Sequence, residues 1–168
     1  LLLQIQELGL PVFLCVNLLD EAEQRGITLD LPALSEQLQI PVAGVTARSG
    51  IGMETLQQQL LAFLRKPYCS HCSISYPETI ETAVQTLQAQ LDVPPTNRWI
   101  ALRLLEQDSA LSAERLLPET PLSALEIPQV NGAADTIIAA IVQRAESIAN
   151  TVTTVPEQAR KREHRFDR

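Results

Sequence analysis

The chain has 168 residues, 45% hydrophobic and 20% charged, and its 13 basic against 20 acidic side chains leave a formal net charge of −7. That is the composition of an ordinary soluble globular chain of one or two small domains, and the acidic balance excludes binding nucleic acid through a broadly basic face. No stretch reaches the roughly 18 apolar residues of a membrane helix, and Leu1-Leu2-Leu3, without a leading Met or basic flank, reads as the interior of a longer protein and not as a signal peptide.

In chain order, Leu1 to Leu8 is the end of a helix stopped by Gly9 and Pro11. Pro11-Val12-Phe13-Leu14-Cys15-Val16 is a continuous apolar run, the mark of a parallel strand buried on both faces, with Cys15 an inert small hydrophobe inside it. A short helix, Glu21 to Arg25, ends at Gly26. Asp30 caps a helix carrying Leu31, Leu34 and Leu38, with Pro32 in its first turn. A second apolar strand spans 41–45. Met53 to Arg65 is an amphipathic helix with Leu56, Leu60, Leu61 and Leu64 on one face. This β-α-β-α order over residues 1–66 implies a parallel pair joined by a right-handed crossover.

Residues 67–76 read as a linker. They contain Cys69-Ser70-His71-Cys72, a single C-x-x-C, whereas zinc sites need four ligands and no second pair exists. A loop dithiol is the plainer reading, and His71 and His164 read as solvated side chains. Residues 77–150 then read as an all-helical domain. A helix opened by Pro77-Glu78 carries Ile80, Val84, Leu87 and Leu91. A second, capped by Asn97 and spanning Arg98 to Glu106, carries Trp99, Leu102 and Leu105. A short helix lies near Ser112 to Leu117. A long one, Ala133 to Asn150, presents Ile137, Ile141, Ala145 and Ile148. Residues 151–168 form a tail whose Arg160, Lys161, Arg162, Arg165 and Arg168 suit the cytoplasmic flank of a membrane span.

Two polar motifs follow the two apolar strands: Asn17-Leu18-Leu19-Asp20 and Thr46-Ala47-Arg48-Ser49-Gly50. Open α/β sheets bind ligands at the carboxyl ends of their strands. A guanine base offers two adjacent donors, N1–H and the N2 amine, and one carboxylate accepts both in a bidentate, charge-assisted pair. Asp20 is the candidate acceptor. Asn17 can bond the base edge and tie neighbouring loops. Leu18 packs on the face of the base, and the Ala47 N–H points to O6. Taken alone, N-x-x-D is equally a polar cap after a strand. Its conjunction with T-A-R-x-G at the end of the next strand points to guanine recognition. The chain contains no G-x-x-x-x-G-K-[ST] phosphate loop.

Over its whole length the sequence resembles the cytosolic part of the FeoB family of bacterial ferrous iron transporters. The residues that carry this are Leu8-Gly9-Leu10-Pro11-Val12, Val16-Asn17-Leu18-Leu19-Asp20-Glu21-Ala22, Arg25-Gly26-Ile27, Leu31-Pro32-Ala33-Leu34-Ser35, Pro41 through Gly52, Arg98-Trp99-Ile100-Ala101-Leu102-Arg103-Leu104-Leu105-Glu106 and His164-Arg165-Phe166-Asp167-Arg168. The resemblance implies that residues 1–66 are the last third of a Ras-like G domain and residues 77–150 the helical domain that influences nucleotide release. Asn17, Leu18 and Asp20 would form the base-specificity motif, with Thr46, Ala47 and Arg48 the loop closing over the base. It implies GTP or GDP as ligand through the base half of the site only. Mg²⁺ would be held only in the intact parent, and the missing part of the G domain and the membrane domain would be partners. A GTPase of the Era-like or tRNA-modifying kind and a helical protein-interaction module are the alternatives. On this reading the chain alone hydrolyses no GTP, lies in the parent at the cytoplasmic face of the inner membrane, is itself soluble, and is less stable over 1–66 than over 77–150.

Overall fold

A computed structural model of the chain describes residues 1–70, 74–91, 97–106 and 125–155. Their elements are α1 (Leu2–Glu7), β1 (Leu14–Val16), α2 (Leu19–Gln24), β2 (Thr28–Leu29), α3 (Leu31–Leu38), β3 (Val42–Gly44), α4 (Met53–Arg65), α5 (Glu78–Gln88), α6 (Asn97–Glu106), α7 (Ala133–Val152) and β4 (Thr153–Thr154). They fall into two compact units. One is Pro11–Ser70 with the described part of Glu146–Arg168; the other is Leu1–Leu10 with the described part of His71–Ala145.

In the α/β unit, β1 and β3 pair in parallel with Leu14 opposite Val42, Cys15 opposite Ala43 and Val16 opposite Gly44. Each strand is shorter than its apolar run, β1 starting at Leu14 and β3 at Val42. Cys15 is exposed, which corrects the expectation of burial. A run that is apolar on both faces is buried on both only if layers cover both. Burial alternates along β1, and β3 is the only strand beside it among the described residues.

The helix expected after Asp30 forms as read. Asp30 Oδ1 accepts the Ala33 N–H at 2.9 Å, Pro32 sits in the first turn, and Gln39 closes the helix in a left-handed conformation. Leu38, Ile40, Ala43 and Val45 are buried and form this unit's core. α4 spans the expected residues, but its leucine face is not covered, since Leu61 and Leu64 are 57% and 62% exposed. Helical spacing shows that a face is apolar and says nothing about what lies on it. Of that helix, Phe63 makes the ring contacts, its centroid 5.8 Å from Phe13 and 5.7 Å from Tyr68.

A second, antiparallel sheet was not foreseen. Thr28 and Leu29 in β2 pair with Thr154 and Thr153 in β4, and the Asp30 N–H donates to the Val152 carbonyl at 2.8 Å. Residues 151–155 are therefore the end of α7 and a strand, not the start of a tail.

In the helical unit Ile80, Val84, Leu87, Leu102 and Ile137 are fully buried, and Leu91, Leu105 and Ile141 nearly so. These are core positions read from helical spacing, and each buried Leu or Ile contributes about 1.5–3 kcal/mol. Trp99 is only half-buried and lies beside the Arg103 guanidinium, 6.0 Å from its ring centroid. Ala145 is exposed, contrary to expectation. α1 belongs here and not with the sheet. Leu3, Gln6 and Glu7 are buried, and the Tyr76 hydroxyl donates to Glu7 Oε1 at 2.8 Å. Of the stretch read as a linker, Ile74 and Tyr76 are buried in this unit and Ser70 in the other, while Pro67, Tyr68 and Cys69 are exposed. His71, Cys72, the helix expected at Ser112 to Leu117, His164 and the basic residues 160–168 lie outside the described residues.

Candidate functional site

Because β1 and β3 are neighbouring parallel strands, the segments that leave their carboxyl ends start side by side. The sequence sets the two polar motifs on those segments, and the structure joins them. Asn17 Oδ1 accepts the Ala47 N–H at 3.1 Å across thirty positions of chain. That N–H, expected to be free for a ligand, is held by the Asn17 carboxamide.

Leu18 follows in the left-handed conformation, φ 64° and ψ 34°, as the residue before α2, and is half-exposed. A leucine there carries strain of about 1–2 kcal/mol, the kind of backbone cost that clusters at functional sites. The turn presents the Leu18 side chain outward and starts α2 so that Asp20 falls in its first turn. Asp20 Oδ1 is buried and has no hydrogen-bond partner. A buried carboxylate oxygen left unpaired costs roughly 1–3 kcal/mol. Asp20 lines a cavity of about 230 Å³ together with Leu18, Glu21, Gln24, Arg25 and Arg48.

The second motif is a closed turn. The Thr46 N–H donates to the Ile51 carbonyl at 2.9 Å, and the Thr46 carbonyl accepts from the Ser49 and Gly50 N–H groups at 3.1 and 3.0 Å and from Ser49 Oγ at 3.2 Å. Thr46 is buried, while Ala47 and Arg48 are exposed at the tip. Gly52 closes the turn at φ 80°, where a side chain would strike the Gly44 carbonyl oxygen; this position takes only glycine.

All six expected residues are thus brought to one edge. Leu18, Asp20 and Arg48 line the cavity, Asn17 and Ala47 join the two loops, and Thr46 anchors the turn beneath. Sequence reasoning missed Glu21, Gln24 and Arg25. The signal was available, since Gln24 stands one helical turn beyond Asp20 on the same face of α2. The cavity wall is therefore mixed in sign, Asp20 and Glu21 against Arg25 and Arg48. Among the described residues no group of His, Cys, Asp and Glu could hold a metal ion, and no helix is long and apolar enough to cross a membrane. Cys69 is an exposed free thiol.

Comparison with known proteins places these elements in context. Residues 1–60 match the family model described as ferrous iron transport protein B, and residues 76–154 match the FeoB cytosolic helical domain. A Porphyromonas gingivalis protein described as a fusion of Fe(2+) transport protein A and the Fe(2+) transporter FeoB is 37% identical over 129 residues, covering 72% of this chain and 15% of that protein. The solved cytosolic domain of L. pneumophila FeoB superposes with a TM-score of 0.77 at 27% identity, covering 92% of this chain and 61% of that one. The T. maritima FeoB cytosolic domain in a GDP form has the same fold, with a TM-score of 0.77 at 24% identity over 92% of this chain and 61% of that chain. The chain spans about a sixth of the length of the curated relatives it matches.

Proposed function

We propose that this chain, which belongs to the ferrous iron transport protein B (FeoB) family, carries the base-reading edge of a guanine-nucleotide site and the helical domain that follows it. The observation that carries the reading is Asp20, whose buried Oδ1 lacks a partner and which lines the cavity together with Leu18 and Arg48. A guanine base supplies what that carboxylate lacks, two adjacent donors in the plane of one acceptor. Leu18 covers one face of the base. O6 takes a share of the Ala47 N–H now held by Asn17, and Thr46 and Arg48 close the loop around the edge.

Residue motifs that cradle phosphate are absent from the sequence, so phosphate and Mg²⁺ contacts come from other parts of the intact protein. GTP hydrolysis depends on those parts. In that protein the site serves a ferrous iron transporter, on the cytoplasmic side of the membrane that houses it. The T. maritima relative was crystallised in a GDP form, which supports a guanine nucleotide as ligand.

Titrating the chain with GDP at millimolar concentration, followed by amide NMR, tests this directly. Shifts confined to Asn17–Gln24 and Thr46–Gly50, absent with ADP, are the expected result. Equal shifts with both nucleotides would remove the guanine assignment.

A further inference from the structure

The helix that carries Asp20 has little of its own to hold it beyond Leu19, whose side chain lies against Gly44 of β3. α2 has six residues, none of them buried, and no side-chain cap. Its entry is the strained Leu18. A helix of that length is unstable in isolation, so its position is set by what fixes its two ends. At the start, the Leu19 N–H reaches the Val45 carbonyl at 3.5 Å, a weak hold. At the other end the chain turns back on the helix. The Gly26 N–H donates to the Glu23 carbonyl and the Ile27 N–H to the Ala22 carbonyl, both at 2.8 Å. That turn runs straight into β2, and the strand that holds β2 among the described residues is β4.

β4 is the first segment after the long helix α7. Val152, buried at its start, offers its carbonyl to the Asp30 N–H, while the Asp30 carboxylate begins α3. Asp30 therefore ties three things together: the end of α7, the strand beyond α2, and the start of α3. Two strands of two residues are a marginal pairing on their own. Such a pairing sits at the low-stability end of a structure, where segments open without global unfolding.

We propose that the β2–β4 clasp is a conformational device: pairing of Thr153–Thr154 with Thr28–Leu29 holds α2, and so Asp20, in register, and opening of that pairing loosens Asp20. Its consequence for nucleotide release rests on the reading of Asp20 given above. The coupling itself does not, and is tested without nucleotide.

Thr28 and Thr154 are exposed register partners. Opposed residues of an antiparallel pair lie about 4.5–5.5 Å apart, within reach of a disulfide. Thr28→Cys with Thr154→Cys, in a background where Cys15, Cys69 and Cys72 are replaced by Ser, locks the clasp on oxidation and frees it on reduction. Amide hydrogen exchange in the full chain then has a built-in control. Asp30 reports the clasp, Gly26 and Ile27 report α2, and Leu87 reports the helical unit. Oxidation should slow exchange at Asp30, Gly26 and Ile27 together, by on the order of tenfold, and leave Leu87 unchanged. Slowing at Asp30 alone would overturn the coupling, and two thiols that fail to bridge under oxidation would overturn the clasp.

Discussion

Asp20 and Glu7 each carry a buried carboxylate oxygen without a hydrogen-bond partner, in different surroundings. Asp20 stands at a cavity; Glu7 stands in a helical core. Burial pushes the Glu7 carboxyl above its ordinary value, against the pull of the Tyr76 hydroxyl and of Arg98 and Arg103, and with Glu106 adding to the push. The folded state thus favours the neutral acid. Its contribution to stability is full below the unfolded value and is lost as pH rises through the folded value. Glu81 behaves oppositely. Paired with Arg98 at 2.9 Å, it is held below its ordinary value of 4.5, so its contribution is lost only as pH falls beneath that value. Thermal unfolding of Glu7→Gln, which keeps an acceptor for Tyr76, should therefore gain on the parent steadily above pH ~4.5; parallel curves across that range would contradict this. Leu18 allows a second check. Glycine relieves a left-handed position and a β-branched residue worsens it. Stability should rank Leu18→Gly level with or above the parent and Leu18→Val about 1–2 kcal/mol below it, and the reverse ranking in a melting series would refute the strain. In the sequence, Asp20 could be named from its motif. That one of its oxygens goes unsatisfied could not, because it depends on which neighbours fail to reach it.

Elements were legible where a period was long enough to read. α3 starts at its Asp30 cap with Pro32 in the first turn, α4 spans the residues read for it, α5 opens after Pro77 but ends at Gln88, short of Leu91, and the buried positions of α5 and, Ala145 apart, of α7 follow helical spacing. β2 and β4 were not legible, because two residues have no period and their pairing joins positions far apart in the chain. Neither was the side on which α1 packs: a six-residue helix with apolar residues signals burial, but not against what. Within the helical unit the core is tight enough to respond to a cavity. Ile137→Ala, at a side chain with no exposure, should cost about 2–5 kcal/mol, read as a lowered denaturant midpoint. A loss below about 1 kcal/mol would show that the site collapses around the missing atoms.

At the scale of the whole chain, the two units differ in how completely each is built. The helical unit encloses fully buried Ile80, Val84, Leu87, Leu102 and Ile137. The α/β unit has, among the described residues, a two-stranded parallel sheet with β1 paired on one side and an α4 whose Leu60, Leu61 and Leu64 are exposed. Unpaired apolar edges are where strands associate wrongly. Native-state hydrogen exchange should therefore find the slowest amides in α5 and α6 and faster ones in β1; equal protection would contradict it. The central claim concerns the other property of the α/β unit, that Asp20 reads guanine. The most direct measurement is calorimetric titration of Asp20→Asn in the intact protein with GDP and with xanthosine diphosphate, whose O2 accepts where the guanine amine donates. Losing a charge-assisted bidentate pair costs roughly 2–3 kcal/mol, so GDP affinity should fall about a hundredfold while the xanthine nucleotide binds relatively better. Unchanged GDP affinity in Asp20→Asn would contradict the claim.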